Sequence, residues 1–547
     1  MARRANATTP LLANDDPSDS FDADERALLR QEENKQISRE RRRLTLCMLL
    51  AIILTSSAVT FTIYFAKVSL GRSRNVIMMV SDGFGPASQT YARSYLQYHN
   101  RLPEDYHVSM DEILIGSSRT RSSDSAITDS AAGATAFSCA LKTYNAAIGV
   151  DRNGNPCGTI LEAAKDRGML TGMVVKSRVT HATPASFSAH VVHRDMESEI
   201  AEQQIGFYPL GRQLDLLMGG GRCFFLPNST NGSCRTDNRD LREESKTKGW
   251  TTFLSTREDF EKAVDGKIPL PALGLFNLDH MNYAIDSEAS KELSLTEMAV
   301  AALDSLKYHS AVDKGFFLMI EGSRIDMGAH NNDPVAHLHD IIEYQETIAA
   351  VRKWVADNPN TLMISTSDHE TGGFTLGSQP DPNTFPEYLW KPWIIEKAKA
   401  STEILTRRIF EYTGSDHKAF IKNEILGTEL GITDATDEEL TILTNTSASP
   451  LEILPFLGHM ISNRAHLGWT TLGHTGVDVN LYADGEGFSN LRGNHENTEI
   501  GVTMASYLRV DLGVITKRLE QTADSWFKRR PFWNKNVGGD KHQETGR

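Results

Sequence analysis

Cysteine is scarce. Five occur in 547 residues, too few to staple a disulfide scaffold, so the fold must rest on an apolar core. A basic excess is also missing: 57 Lys and Arg stand against 71 Asp and Glu, a net charge of −14. No global positive field exists to hold nucleic acid by its phosphates. The absence of G-x-S-x-G argues against an esterase-type triad, and the absence of G-x-x-x-x-G-K-[ST] excludes a P-loop nucleotide site. What is there is globular in balance. Hydrophobic residues make up 40 % and charged residues 23 %, which rules out a wholly disordered or collagen-like chain. The length fits one large domain or two ordinary ones.

Charge is unevenly spread. Residues 1–43 carry nine Lys and Arg against nine Asp and Glu, so the acidic excess lies beyond them. An anionic substrate would then need a local positive centre, an arginine or a metal. The same polar stretch has few large apolar groups and reads as a disordered tail. Leu44–Ala66 follows, uncharged and long enough to cross a hydrocarbon core at about 1.5 Å per residue. Arg39, Arg41, Arg42 and Arg43 precede it, so the positive-inside rule leaves the tail in the cytoplasm and everything after Lys67 on the far side. A signal peptide or a buried core helix is the alternative; the long hydrophilic preamble argues against the former. Asp24, Leu28 and Leu29, in DERALL, have the spacing of an acidic dileucine sorting signal. Asn228, Asn231 and Asn445 head N-x-S/T sequons, as on a non-cytosolic surface. Cys223 and Cys234 could close one disulfide, Cys139 and Cys157 another, and Cys47 lies inside the apolar run.

Short apolar runs, each followed by a polar turn and a helical stretch, recur through the body. Asn75–Val80, Gly172–Val175, Phe316–Ile320 and Leu362–Ile364 read as buried strands. Gly158–Arg167 and Pro334–Asp357 read as helices, the second amphipathic with Pro near its first turn. This alternation implies an α/β fold, a three-layer sandwich with a central, mostly parallel sheet flanked by helices. No internal repeat is visible. Residues 67–73 read as a stalk, 74–520 as the main domain, 376–465 as an inserted subdomain, and 521–547 as a polar tail open to proteases.

Acidic and histidine residues fall where these strands end. The first runs into Ser81-Asp82-Gly83, the one at 316 into Glu321, Asp326 and His330, and the one at 362 into Asp368-His369. The strand at 172 leads to His181-Ala182-Thr183. Ligand sites in open parallel sheets lie beyond the carboxyl ends of the strands. Singly, each residue reads as a turn, a cap or a surface pair. Jointly, mixed oxygen and imidazole donors suit zinc, and the all-oxygen subset suits magnesium. Ser130 precedes a small-residue helical run, AAGATA, and would share an anion-favouring spot with the first free backbone N–H groups. A plain N-cap serine on a packed helix is the alternative.

These segments resemble the alkaline phosphatases, in particular their fungal vacuolar, membrane-anchored branch. The matching motifs are Ser81-Asp82-Gly83, Asp129-Ser130-Ala131-Ala132, His181-Ala182-Thr183-Pro184, Ala189-His190 with Arg194, Glu321-Gly322 through Asp326 to His330, Asp368-His369-Glu370-Thr371-Gly372-Gly373, and Gly473-His474-Thr475-Gly476. They run in order from about residue 74 to 515. The resemblance implies that Ser130 is the nucleophile and that Asp326, His330 and His474 bind a first zinc ion. Asp82, Asp368 and His369 would bind a second, with Asp82 bridging to a magnesium held by Thr183 and Glu321. Arg194 would clamp the phosphate and Asp129 help orient it. Two positions depart from the pattern. His181 stands where bacterial members carry an aspartate near the magnesium, and Met327 where many relatives carry Lys or His near the phosphate.

The implied reaction is hydrolysis of phosphate monoesters through a phosphoserine, with two metals flanking the attacking and leaving oxygens. Small phosphomonoesters are the implied substrates, with phosphopeptides as further candidates. A homodimer at the vacuolar membrane, with its catalytic domain in the lumen, is expected on the same ground. Phosphodiesterases, nucleotide pyrophosphatases and sulfatases on this metal fold typically use threonine or a modified cysteine, whereas this segment holds serine.

Overall fold

The computed structural model describes residues 23–70, 73–265, 267–311, 314–379, 381–445, 447–522 and 526–527. It separates into two compact units, residues 1–72 and 73–547. The described part of the first unit is one helix, Ala23–Leu70. The helix therefore begins some twenty residues before the apolar run, in a stretch expected to be disordered, and continues through residues expected to form the stalk. Ala, Leu, Gln, Glu, Lys and Arg dominate residues 23–43, and these are strong helix formers. An apolar helix that already exists propagates through them at little cost. This is a helix long and apolar enough to cross a membrane, and Leu44, Leu46, Met48 and Ile52 on it are exposed. Residues 1–22 lie outside the described residues.

Among the described residues, the second unit has fourteen strands. They are β1 (Asn75–Val80), β2 (Leu114–Arg119), β3 (Leu170–Arg178), β4 (Leu216–Gly220), β5 (Thr252–Leu254), β6 (Ala272–Leu275), β7 (Phe316–Glu321) and β8 (Thr361–Thr366), then β9 (Glu370–Thr371), β10 (Thr375–Leu376), β11 (Leu467–Gly468), β12 (His474–Thr475), β13 (Val479–Gly485) and β14 (Gly493–Glu496). Ten of them form one sheet in the order β14-β2-β13-β8-β1-β7-β3-β4-β6-β5. Among the described residues of this sheet, the two pairings of β13 are the antiparallel ones. The others are parallel, as the strand–helix alternation predicts.

Helices cover both faces of this sheet, which explains the near-continuous apolar runs. Ile77 and Met79 of β1, Leu318 of β7 and Met363 of β8 join one apolar layer with helices Pro86–His99, Leu295–His309 and Pro334–Asp357. Val76, Met78, Phe317, Met319 and Ile364 join the other, with helices Ser130–Cys139, Ile160–Asp166, Glu197–Ile205 and Asn497–Leu508. Each fully buried side chain of this size contributes about 1.5–3 kcal/mol. Between β10 and β11, which pair antiparallel, the described residues form helices such as Thr402–Glu411 and Pro450–Ala465. Their Leu405, Ile409, Leu457 and Ile461 enter the first apolar layer. Disulfides join Cys139 to Cys157 and Cys223 to Cys234. In the C-terminal stretch expected to be a loose tail, Phe527 is fully buried, its ring 5.9 Å from that of His190.

Candidate metal centre and active site

Four adjacent strands, β8, β1, β7 and β3, end at one edge. β1 leads directly to Asp82, β7 ends on Glu321, β8 is followed by Asp368 and His369, and β3 by His181 and Thr183. The short helix Arg324–His330 after β7 carries Asp326 and His330 one turn apart. His474 arrives from far along the chain, because β12 pairs with β9 just beyond His369. Two glycines let these pieces close up. A Cβ on Gly83, which has φ +73°, would stand 2.6 Å from Asp326 Cα, and one on Gly133 would stand 2.9 Å from Asp368 Cβ.

The donors converge in three groups: Asp326, His330 and His474; Asp82, Asp368 and His369; and Asp82, His181 and Glu321. Within each group the candidate ligand atoms lie within 4.8 Å of one another. In the first, His474 Nδ1 is 2.8 Å from the Thr128 carbonyl and His330 Nδ1 contacts the Leu472 carbonyl. A carbonyl only accepts, so each Nδ1 carries a proton and Nε2 is the nitrogen each ring turns inward, able to ligate a cation through its lone pair. Those two Nε2 atoms are 3.0 Å apart, and they stand 3.3 and 3.7 Å from the Asp326 carboxylate oxygens. Converging electron pairs repel, and a shared cation satisfies them all. Glu321 Oε1 and Asp368 Oδ2 are buried without a hydrogen-bond partner, which fits the same reading. Thr183 Oγ1 is 3.4 Å from Asp82 Oδ2.

Electrostatics make the same point. Burial pushes the Asp82 carboxyl well above the usual carboxylate range, and repulsion from Asp368, Asp326 and Glu321 adds to it. Burial likewise pushes Glu321 up to about 7 and Asp368 up to about 6. At Asp326 burial acts in the same direction, but the charge of protonated His330, His474 and His369 outweighs it and holds the carboxyl well below its ordinary value; when those rings are neutral ligands, a bound cation takes that place. Carboxylates this close cannot all ionise without added positive charge.

Ser130 opens helix Ser130–Cys139 and is fully buried. Its Oγ is 3.1 Å from His369 Nε2 and 3.5 Å from Asp82 Oδ1. Asp129 caps the helix by accepting from Ala132 N at 3.0 Å, accepts from Ala146 N at 2.8 Å, and holds Arg194 Nη1 at 3.1 Å. The other arm of the guanidinium, Nη2, is 3.2 Å from His181 Nε2. A hydroxyl, an arginine fork and clustered cation donors around one point are the parts needed for phosphoryl transfer.

A family model described as alkaline phosphatase matches residues 73–510. The chain belongs to the alkaline phosphatase family. It is 48 % identical over 462 residues to the alkaline phosphatase of Schizosaccharomyces pombe, covering 84 % of this chain and 86 % of that one. It is 45 % identical over 477 residues to the repressible alkaline phosphatase of Saccharomyces cerevisiae, covering 82 % and 84 %. Among solved structures, the cold-active alkaline phosphatase of a Shewanella species superposes with a TM-score of 0.67 at 31 % identity, over 79 % of this chain and 99 % of that one. Phosphomonoester hydrolysis, the alkaline phosphatase reaction, is the activity of this chain.

All the catalytic and metal residues expected from the sequence meet at this edge, whereas Asn228, Asn231 and Asn445 lie in exposed positions elsewhere. His181 stands among the donors of the third group, beyond the magnesium ligands Asp82, Thr183 and Glu321 that the alkaline phosphatase resemblance implied. Met327 receives Arg324 Nη1 on its sulfur at 3.0 Å. Sequence reasoning gave no role to Thr371, whose hydroxyl touches Asp326 and His369. Its position two residues after His369, on the same side of an extended segment, was the available signal.

Proposed function

We propose that this chain hydrolyses phosphate monoesters with broad specificity through a phosphoserine on Ser130. The observation that supports it most directly is the seat of Ser130 Oγ at a helix N-terminus, 3.1 Å from His369 Nε2, beside an arginine fork anchored on the preceding residue. Ser130 Oγ attacks phosphorus in line, the P–O bond to the alcohol breaks, and water then cleaves the phosphoserine to release inorganic phosphate. Arg194 offers two N–H groups in a plane to two phosphate oxygens. Asp129 keeps that fork in place.

Asp326, His330 and His474 would hold one zinc ion, Asp82, Asp368 and His369 a second, and Asp82, Thr183 and Glu321 a magnesium ion, with His181 a further nitrogen donor. Bound there, the cations would supply Lewis-acid stabilisation of the attacking and leaving oxygens. Five carboxylates, Asp82, Asp129, Glu321, Asp326 and Asp368, face one guanidinium; three divalent ions more than offset the difference and leave a positive seat for a dianion. Ser130→Ala tests the assignment. Turnover should fall by several orders of magnitude while zinc content holds, and near-normal turnover refutes it.

The same reading extends to location. The apolar helix preceded by arginines supports a type II anchor, and exposed Leu28 and Leu29 suit a sorting signal to the vacuolar membrane with the catalytic unit in the lumen. Imaging at the plasma membrane rejects that. Exposure of Asn228, Asn231 and Asn445 supports glycosylation, checked by a mass shift on endoglycosidase treatment. The family likeness supports a homodimer, checked by light scattering.

A further inference from the structure

Thr371 of β9 is fully buried, and its hydroxyl lies between two of the donor groups. It contacts Asp326 Oδ1 and stands 3.2 Å from His369 Nδ1. Asp326 belongs to one group and His369 to the other. A carboxylate only accepts, so the single hydroxyl proton of Thr371 goes to Asp326. The oxygen of Thr371 can then only accept from His369, which makes Nδ1 the protonated ring nitrogen. In the neutral ring that binds a cation, Nε2 is then left with the lone pair. It faces Ser130 Oγ at 3.1 Å, Asp368 Oδ2 at 3.3 Å and Asp82 Oδ1 at 3.5 Å. On the other side, the bond to Oδ1 orients the Asp326 carboxylate, whose Oδ2 lies 3.3 Å from His330 Nε2. The backbone adds a third link, because the β9–β12 register sets Thr371 directly across from His474. One hydroxyl thus touches a member of each group and neighbours the ligand that comes from furthest along the chain.

We propose that Thr371 is a positioning residue that couples the two donor groups. As acceptor it sets the His369 tautomer, as donor it sets the Asp326 carboxylate, and the two groups bind their cations together. This deepens the function proposed above and rests on its assignment of cations to these groups. Partners that orient metal ligands typically change affinity by about 10–100-fold when removed.

The test titrates metal-free, full-length protein with Zn2+ against a chromophoric chelator and reads the two tightest stepwise dissociation constants. Thr371→Val, which keeps the shape and removes the hydroxyl, should weaken both steps by about 10–100-fold. Thr371→Ser, which keeps the hydroxyl, should stay close to wild type. Weakening of one step alone, or of neither, overturns the coupling. A serine variant as weak as the valine variant also overturns it, since the methyl group would then be responsible. Wild type that takes up no zinc removes the cation assignment and this proposal with it; normal uptake by both wild type and Thr371→Val removes the role of Thr371 alone. Should the valine variant fail to fold, Thr371→Ala replaces it in the same titration.

Discussion

Gly133→Ala probes how closely the Ser130 helix must approach the donors. A Cβ at this position would stand 2.9 Å from Asp368 Cβ and 3.5 Å from the Asp368 carbonyl oxygen. Relaxed carbon–carbon contacts are about 3.5–4.0 Å, so relief requires a shift of about 0.6–1.1 Å by the helix or by Asp368. Overpacking of this kind costs about 1–3 kcal/mol. Alanine returns about 1 kcal/mol through its better helix propensity. The fold should therefore survive with a modest loss of stability. The chemistry should not, because the shift falls on Ser130 and on a member of the Asp82, Asp368 and His369 group. A misplacement near 1 Å is worth on the order of 100-fold in rate. Hydrolysis of a chromogenic aryl phosphate should thus lose about 100-fold in kcat/KM, with only a small drop in melting temperature. A wild-type rate in a normally folded variant would refute the reasoning.

Two further outcomes follow from groups around the site. Glu162 and His190 form a buried pair at 2.9 Å, with Tyr208 donating to the same carboxylate oxygen at 2.7 Å. Burial opposes both charges, yet His190 and hydrogen bonds hold the Glu162 carboxyl below its ordinary value, and Glu162 holds the His190 imidazole above its own. The Glu162 contribution is present above the unfolded carboxyl value and is lost as pH falls through the folded one. The His190 contribution is present below the unfolded imidazole value and is lost as pH rises through the folded one. Their joint stabilisation is largest between about pH 4.3 and 6.5. The melting-temperature gap between chelated wild type and Glu162→Gln should peak in that window, and a gap flat across pH contradicts the pairing. Arg194→Lys removes the fork that Asp129 and His181 hold. With charged hydrogen bonds at about 1.5–3 kcal/mol each, inhibition by product phosphate should weaken by about 10–100-fold, and an unchanged inhibition constant would exclude Arg194 as the clamp.

The parts of this fold that sequence reading recovers are those with two buried faces. β1, β3, β7 and β8 have helices on both sides, so each carries an unbroken apolar run, such as Val76–Val80, Met173–Val175, Phe316–Ile320 and Leu362–Ile364, that stands out. β14, with sequence GNHE, carries no apolar residue, and β2 is mostly half-buried, with three polar residues, Ser117, Ser118 and Arg119, in its second half. Such edge and near-edge strands exist through pairing partners distant in the chain, which no local pattern encodes. The site divides in the same way. Asp82, Glu321 and Asp368 could be placed because each follows a legible strand. His474 could be assigned only through the family resemblance, since a two-residue pairing with β9 is what brings it in. Thr371 belongs to a motif read from the sequence, but its role depends on a contact with Asp326, forty-five residues away. Residues 23–43 of the helix Ala23–Leu70 went the other way: polarity suggested disorder, and helix propensity continuous with the apolar helix expected from residue 44 overrode it.

In the proposed reaction, donor groups at the strand ends make Ser130 the attacking group. Acid quenching of the purified protein during turnover of a monoester carrying labelled phosphorus, followed by peptide mapping, tests it most directly. The label should sit on Ser130, vanish after exhaustive chelation, and return when zinc and magnesium are restored. Label on another residue, or undiminished labelling after chelation, would rule out Ser130 as the metal-dependent nucleophile.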